Sequence, residues 1–277
     1  MKTICVGDNV IDYYRNSKQM FPGGNAVNVA VHLSKLNIDS TYLGNIGDDE
    51  MSKVIINALN KYNINYDRCK RIKNGTTKHC VYDVINGERT FIEVVLGNNW
   101  SGPMNLTKES VDYINSFDAI FMSVNGKMQD EIIKLKDSTK LFIYDFGEKE
   151  KYRTDEYLDL VCHNIDLAMF SLENDDSEYV KRLADRLIQR NTKNVLFTIG
   201  KKGQYLYNKN GIYFGESKLV EAIDTMGAGD SFLAAFVVAA YEKGFRKGVV
   251  LNKEIIEHAL DSGSNNARKN CLVSGAF

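Results

Sequence analysis

No surplus of either charge marks this chain of 277 residues: 35 Lys and Arg stand against 36 Asp and Glu, a formal net charge of −1. A nucleic-acid partner calls for a basic face, so none is expected, and the short cluster Lys70, Arg71, Lys73 reads as a solvated edge. The five cysteines (Cys5, Cys69, Cys80, Cys162, Cys271) are odd in number, scattered and without Cys-x-x-Cys spacing. That argues against a disulfide framework or a zinc site and for reduced thiols, hence a cytoplasmic location. The four histidines are equally dispersed, which disfavours a His-based metal site. No apolar run approaches the ~18 residues that span a bilayer, so no membrane partner is expected; Phe232 to Tyr241, the longest, has the length of a core helix. The start, Met1 to Gly7, runs straight into a short strand and lacks the apolar core and cleavage site of a signal peptide.

Short β-branched or aromatic runs alternate with helical periodicities. Strands are predicted at Thr3–Val6, Ala119–Val124, Leu141–Phe146, Leu167–Ser171 and Val195–Ile199. Helices are predicted at Ala26–Leu36, Met51–Tyr62, Lys108–Ser116, Gln129–Leu135, Asp155–Cys162, Glu178–Arg190 and from Ser231 to about Lys243. This alternation indicates βαβ units and a mainly parallel sheet covered on both faces, with ligands at the carboxyl ends of its strands. Two segments break the rhythm. His79–Ile85 and Glu88–Val95 flank Asn86-Gly87, a dipeptide favoured in tight hairpin turns; the hairpin is either an edge decoration or a lid over the ligand crevice. Asn210-Gly211 marks a second hairpin.

Two small-residue turns open directly into helices. Gly227-Ala228-Gly229 precedes a helix whose Phe232, Ala235, Phe236 and Ala239 form an apolar stripe. A helix start with free N–H groups and a positive dipole end suits anionic oxygens. Asp230 lies in that first turn, where acidic residues stabilise helices by ~0.3–1 kcal/mol; the segment alone leaves helix cap and catalyst both open. The second turn, Gly23-Gly24, leads into a helix with Ala26, Val29, Ala30 and Leu33 at core spacing, while Asn25 and Asn28 share another face and can present amides to a polar ligand. Asp12 follows the first strand. A Gly-x-x-x-x-Gly-Lys-Ser/Thr loop is absent, and the dinucleotide fingerprint fails because Phe232 stands where its third Gly belongs.

Gly23-Gly24-Asn25-Ala26-Val27-Asn28-Val29-Ala30 together with Asp224-Thr225-Met226-Gly227-Ala228-Gly229-Asp230-Ser231-Phe232 resembles the two signatures of the ribokinase-like carbohydrate kinases. The similarity extends through Gly7-Asp8-Asn9, Asp12, Gly47-Asp48-Asp49 and Thr198-Ile199-Gly200-Lys201-Lys202-Gly203, essentially the whole chain. It implies one three-layer α/β/α domain over 1–277 with a small β lid from about 12–21 and 75–97. The activity implied is transfer of the γ-phosphoryl of ATP to a primary hydroxyl of a sugar. By the same resemblance Asp230 orients the acceptor hydroxyl and takes its proton, and the N–H groups of Gly227, Ala228 and Gly229 form an anion hole. Asp12, Gly23, Gly24 and Asn28 bind the sugar; Thr198, Gly200, Gly203 and Asn266 bind the nucleotide.

At a helix N-terminus Asp230 is expected to be a weak base, acceptable for a loose phosphoryl-transfer transition state. Mg²⁺ is expected to bridge phosphate oxygens with few protein ligands. The Asn-x-x-Glu motif of the family is replaced by Phe170-Ser171-Leu172-Glu173-Asn174-Asp175-Asp176, with Glu173 its partial substitute. Asp224 is the candidate for a K⁺ site. Many such kinases pair their lids into a clasp, so the resemblance implies a homodimer. The motifs look most like those of kinases acting on fructoselysine, whose lysine moiety would ask for charged groups such as Asp83, Arg89 and Glu93; a plain sugar or a nucleoside is the other acceptor. The glycines together with Asp230 speak against a silent sugar-binding regulator.

Overall fold

The computed structural model describes residues 1–85, 88–98 and 104–277. In chain order the elements are β1 (Lys2–Val6), β2 (Val10–Tyr14), β3 (Gln19–Gly23), α1 (Asn25–Lys35), β4 (Asp39–Leu43), β5 (Asn45–Ile46), α2 (Glu50–Lys61), β6 (Lys70–Arg71), β7 (His79–Ile85) and β8 (Glu88–Val95). They continue as α3 (Lys108–Ile114), β9 (Ala119–Ser123), β10 (Leu141–Asp145), α4 (Asp155–Val161), β11 (Leu167–Ser171), α5 (Ser177–Gln189), β12 (Asn194–Thr198), β13 (Gln204–Asn208), β14 (Gly211–Gly215), α6 (Ala228–Glu242) and α7 (Lys253–Asn270).

The central sheet has the order β14-β13-β12-β11-β10-β9-β1-β4 and is parallel from β4 to β12; the β12–β13 and β13–β14 pairs are antiparallel. Side chains alternate between its faces. Cys5, Phe121, Leu141, Ile143 and Met169 join a core with α1, α2, α6 and α7. Ile4, Ile120, Phe142, Tyr144 and Phe170 join a second core with α3, α4 and α5. The result is the three-layer α/β/α architecture. Strand order reverses between β1 and β9, and a crevice opens at the carboxyl ends of strands at such a reversal. There Gly7 passes so close to Gly126 that a Cβ on Gly7 would lie 3.4 Å from the Gly126 Cα.

A second sheet, β3-β2-β7-β8, combines segments 10–23 and 79–95. The turn expected at Asn86-Gly87 lies outside the described residues.

Several boundaries differ from expectation. Gln129–Leu135 is not an α-helix: one 3₁₀ turn covers Ile132–Leu135, and the short-range bonds Glu131 N to Met128 O and Lys134 N to Glu131 O wind the segment tightly. Met128, Ile132 and Leu135 are buried at helical spacing, but the segment is too short to hold a regular helix without a cap. Helix α6 starts at Ala228 rather than Ser231. Neither strand β4 nor the bounds of helix α7 were predicted. Asn252 caps α7 through a bond from Ile255 N, and Ile256, Ala259, Leu260 and Gly263 form its buried stripe.

Candidate active site

Helix α6 is apolar all round and buried from Asp230 to Ala240, so its first turn is delivered rigidly to the mouth of the crevice. Gly227, its N-cap, has φ 69°, a left-handed conformation that favours glycine. The Ser231 N–H donates to Gly227 O at 2.8 Å and the Ala228 N–H reaches Thr225 O at 3.3 Å. That leaves the Gly227 and Gly229 amides without an acceptor among the described residues, as an anion hole requires. Thr225, Ala228 and Gly229 line a cavity of about 360 Å³, which continues past Thr198, Gly200 and Ser171 to α7.

Asp230 is 7% exposed. Its Oδ1 accepts from Asn25 Nδ2 and its Oδ2 from Asn28 Nδ2, each at 2.8 Å. The two asparagines thus face the catalytic candidate itself. They reach it because Gly24, at φ 102°, caps α1 against the β1–β2 loop, where a Cβ would lie 2.8 Å from Asn9 Cα. The Asp8 carboxylate supplies the missing cap, accepting from the N–H groups of Asn25 at 3.3 Å and Ala26 at 3.4 Å.

The expected weak base is not what the structure holds. Burial, and secondly the charge of Asp145, push the Asp230 carboxyl up to about 7, while bonds from Asn28 and Asn25 oppose the rise. Asp145, at the end of β10, is pushed up to about 6 by burial and by Asp8. A carboxyl whose folded pKa is raised stabilises the fold when protonated, and that stability is lost as pH climbs through the folded value. Lowering pH from 8 to 6.5 should therefore raise the melting temperature by about 2 °C, from roughly 1 kcal/mol, while the rate falls. Below 6.5 the buried His32, whose value is lowered to about 4 by burial, opposes further gain. Calorimetric melting across this range checks the sign; a flat or falling curve would contradict it.

Asp12 lies in β2, 6% exposed, and a Cβ on Gly23 would stand 3.1 Å from its Oδ2, so Gly23 leaves that carboxylate room. Thr198 and Gly200 line the cavity at the head of α6; Gly203 and Asn266 are not among its lining residues. A Cβ on Gly203, at φ 112°, would crowd Phe214 at 2.8 Å, which makes it a turn residue. The Asn266 amide donates to Ser231 O at 3.1 Å and Ser231 Oγ at 2.9 Å, tying α7 to α6.

Glu173 is exposed on the loop after β11. Among the described residues no three His, Cys, Asp or Glu side chains converge on a metal position, so no step below is routed through a metal. Asp224 accepts from Met226 N through Oδ1 and from Gly275 N through Oδ2, each at 3.0 Å, and so anchors the C-terminal tail. Asp83, expected to read a charged substrate, is ion-paired with Arg15; the side chain of Arg89 lies outside the described residues, and Glu93 is exposed. Asp145, Asn125 and the cavity-lining Lys201, Lys218 and Arg268 were not anticipated. Asp145 had one available signal: parity with Leu141 and Ile143 places it on the α1–α6 face.

Residues 2–276 match the profile described as pfkB family carbohydrate kinase. The chain is 31% identical over 278 positions to the fructosamine kinase FrlD of Bacillus subtilis (strain 168), covering 100% of this chain and 93% of the relative. It is 28% identical to the fructoselysine 6-kinase of Escherichia coli (strain K12), covering 100% of each. The ribokinase of Arabidopsis thaliana, solved with ribose and ATP, superposes with a TM-score of 0.80 at 21% identity, over 99% of this chain and 94% of the other. No helix among the described residues is long and apolar enough to cross a membrane.

Proposed function

The chain belongs to the pfkB family of carbohydrate kinases and is an ATP-dependent sugar kinase, and from that premise we propose that it acts in the cytoplasm on fructoselysine, forming fructoselysine 6-phosphate. The observation that carries the reaction is the Asp230 carboxylate, held by two amides at the head of α6, beside a turn of free N–H groups. Supporting the acceptor are the relatives named for fructosamine and fructoselysine.

In the reaction the acceptor hydroxyl donates its proton to an Asp230 oxygen as its own oxygen bonds to the γ-phosphorus. The bond from that phosphorus to the β-bridging oxygen breaks, and ADP leaves with the electron pair. The Gly227 and Gly229 amides, which have no acceptor among the described residues, would stabilise charge on the phosphoryl group without reorganising. Asp12 and Gly24 flank the sugar end; Thr198 and Gly200 flank the nucleotide. When bound with the nucleotide, Mg²⁺ would supply charge neutralisation on the phosphates, with few ligands from this chain. The second sheet acts as a lid on this crevice, with 1–277 as one domain.

Coupled ADP release across fructoselysine, fructose, ribose and adenosine, with and without K⁺, tests the acceptor. Fructoselysine should give the highest kcat/KM; turnover of ribose alone would overturn the assignment. The lid exposes Phe91 (55%), Val94 and Leu96 (56%) on and just after β8, apolar area that pairing of two lids would cover. Sedimentation should show a dimer, and Phe91→Lys should shift it to monomer; a monomeric parent would refute this pairing.

A further inference from the structure

Asp145 ends β10 on the same sheet face as α1 and α6. It is buried, its Oδ1 accepts from Gly147 N at 2.8 Å and its Oδ2 from Asn25 Nδ2 at 3.2 Å. The same Asn25 Nδ2 reaches Asp230 Oδ1 at 2.8 Å, and Asn25 Oδ1 accepts from Asn125 Nδ2. Both amide hydrogens and the amide oxygen are therefore engaged. Flipping the amide would turn its oxygen toward two carboxylates, so its orientation is fixed.

Asp145 and Asp230 also line one small cavity together with Ser123, whose buried hydroxyl has no partner among the described residues. Among the described residues the other titratable groups acting on them are Asp8 of the β1–β2 loop, which caps α1 and has Lys78 near it, and the buried Cys5 thiol beside Asp230. Asn28 of α1 completes the shell around Asp230.

We infer that Asp145 is a positioning residue for the transfer: it locks the Asn25 amide and sets a second carboxylate beside Asp230, so that Asp230 is held as the proton acceptor. This rests on Asp230 being the base. The acceptor's proton goes to Asp230, and Asp145 acts on it through the shared Asn25 amide and its charge. Two like charges sharing one amide titrate as a pair, and with Asp145 ionised the proton affinity of Asp230 is higher than burial alone would set.

The test is the pH dependence of kcat/KM in two variants, with ATP and whichever sugar of the panel is turned over. Asp230 must be unprotonated, so the rate rises with pH along an acid limb. Asp145→Asn keeps shape and acceptor atom but removes the charge; its acid limb should move to lower pH by about one unit. Asn25→Ala removes a bond that favours ionised Asp230 and the screen between the carboxylates; its limb should move to higher pH. A purely structural role for Asp145 would not produce opposite shifts. Limbs that stay in place, or move together, would overturn the inference. Should Asp145→Asn not fold, the upward shift in Asn25→Ala carries the test, and an unmoved limb there refutes it. Full activity in Asp230→Asn would remove the base itself and with it the reading of the site; an inactive Asp230→Asn with unmoved limbs would overturn only the role of Asp145.

Discussion

Replacing Asp230 by Asn should lower kcat by about 10²–10⁴, the usual contribution of a positioned base, without lowering the melting temperature. Asparagine has nearly the shape of aspartate, and the site can adapt to it. The Asp230 oxygens accept from Asn25 and Asn28. Asn28 Oδ1 is buried without a partner among the described residues, so the Asn28 amide can turn and accept from the new side chain. Removing a buried carboxyl also removes its desolvation penalty. Stability is therefore expected to hold or rise while the rate falls, a divergence that separates loss of chemistry from loss of fold. Melting curves and single-turnover phosphorylation on the same sample check it. A variant that lost both together would point to a structural cap, the role Asp230 would have by sequence position alone.

Gly227→Ala should fail in the opposite way, through the fold. Gly227 sits at φ 69°, where a side chain costs roughly 1–2 kcal/mol. A Cβ there would also collide with the Ala276 carbonyl oxygen and lie 2.9 Å from Ala276 Cα. Ala276 cannot move freely, because its oxygen faces His32 Nε2 at 2.9 Å in the core and Phe277 packs edge-on against Tyr62. Strain and displaced tail together should destabilise by about 3–5 kcal/mol, roughly a 10 °C loss. The turn would aim the proposed anion-hole amides, and a misplacement of about 1 Å can cost 10²-fold in rate. Gly229→Ala is the control: its Cβ would meet only Met169 Cε at 3.6 Å, so its melting temperature should match the parent. Equal melting temperatures for both variants would refute the account of the tail as a strut behind the turn.

The parts legible in the sequence were those encoded locally. Gly227 to Asp230 declares a turn and a helix start within four residues, and the parallel sheet shows in the alternation of apolar runs. What escaped depends on contacts between distant segments. Asn25 and Asn28 were read as sharing a polar face, Asn28 as a sugar ligand; the partner that both reach, Asp230, is 205 and 202 residues away. Asp230 was expected to be a weak base from its helix position, whereas burial and Asp145 act in the opposite direction and win. Asp145 closes an apolar strand and looks like any polar strand end; its meaning comes from the pairing of β10 with β9 and from what α1 and α6 bring over it. Asn266 and Gly203 matched a family pattern, yet a helix contact and a tight turn account for their placement. The stripe of α7 was visible at Ile256, Ala259, Leu260 and Gly263, but its polar surroundings masked it.

The proposed reaction is transfer from ATP to the 6-hydroxyl of a sugar amine with Asp230 as base. Phosphorus-31 NMR of fructoselysine incubated with ATP and the protein tests it most directly. A new phosphomonoester signal coupled to the two protons of the C6 methylene, appearing as ADP accumulates and absent with Asp230→Asn, is the predicted result. ADP accompanied only by inorganic phosphate, or the same ester formed at full rate by Asp230→Asn, would contradict it.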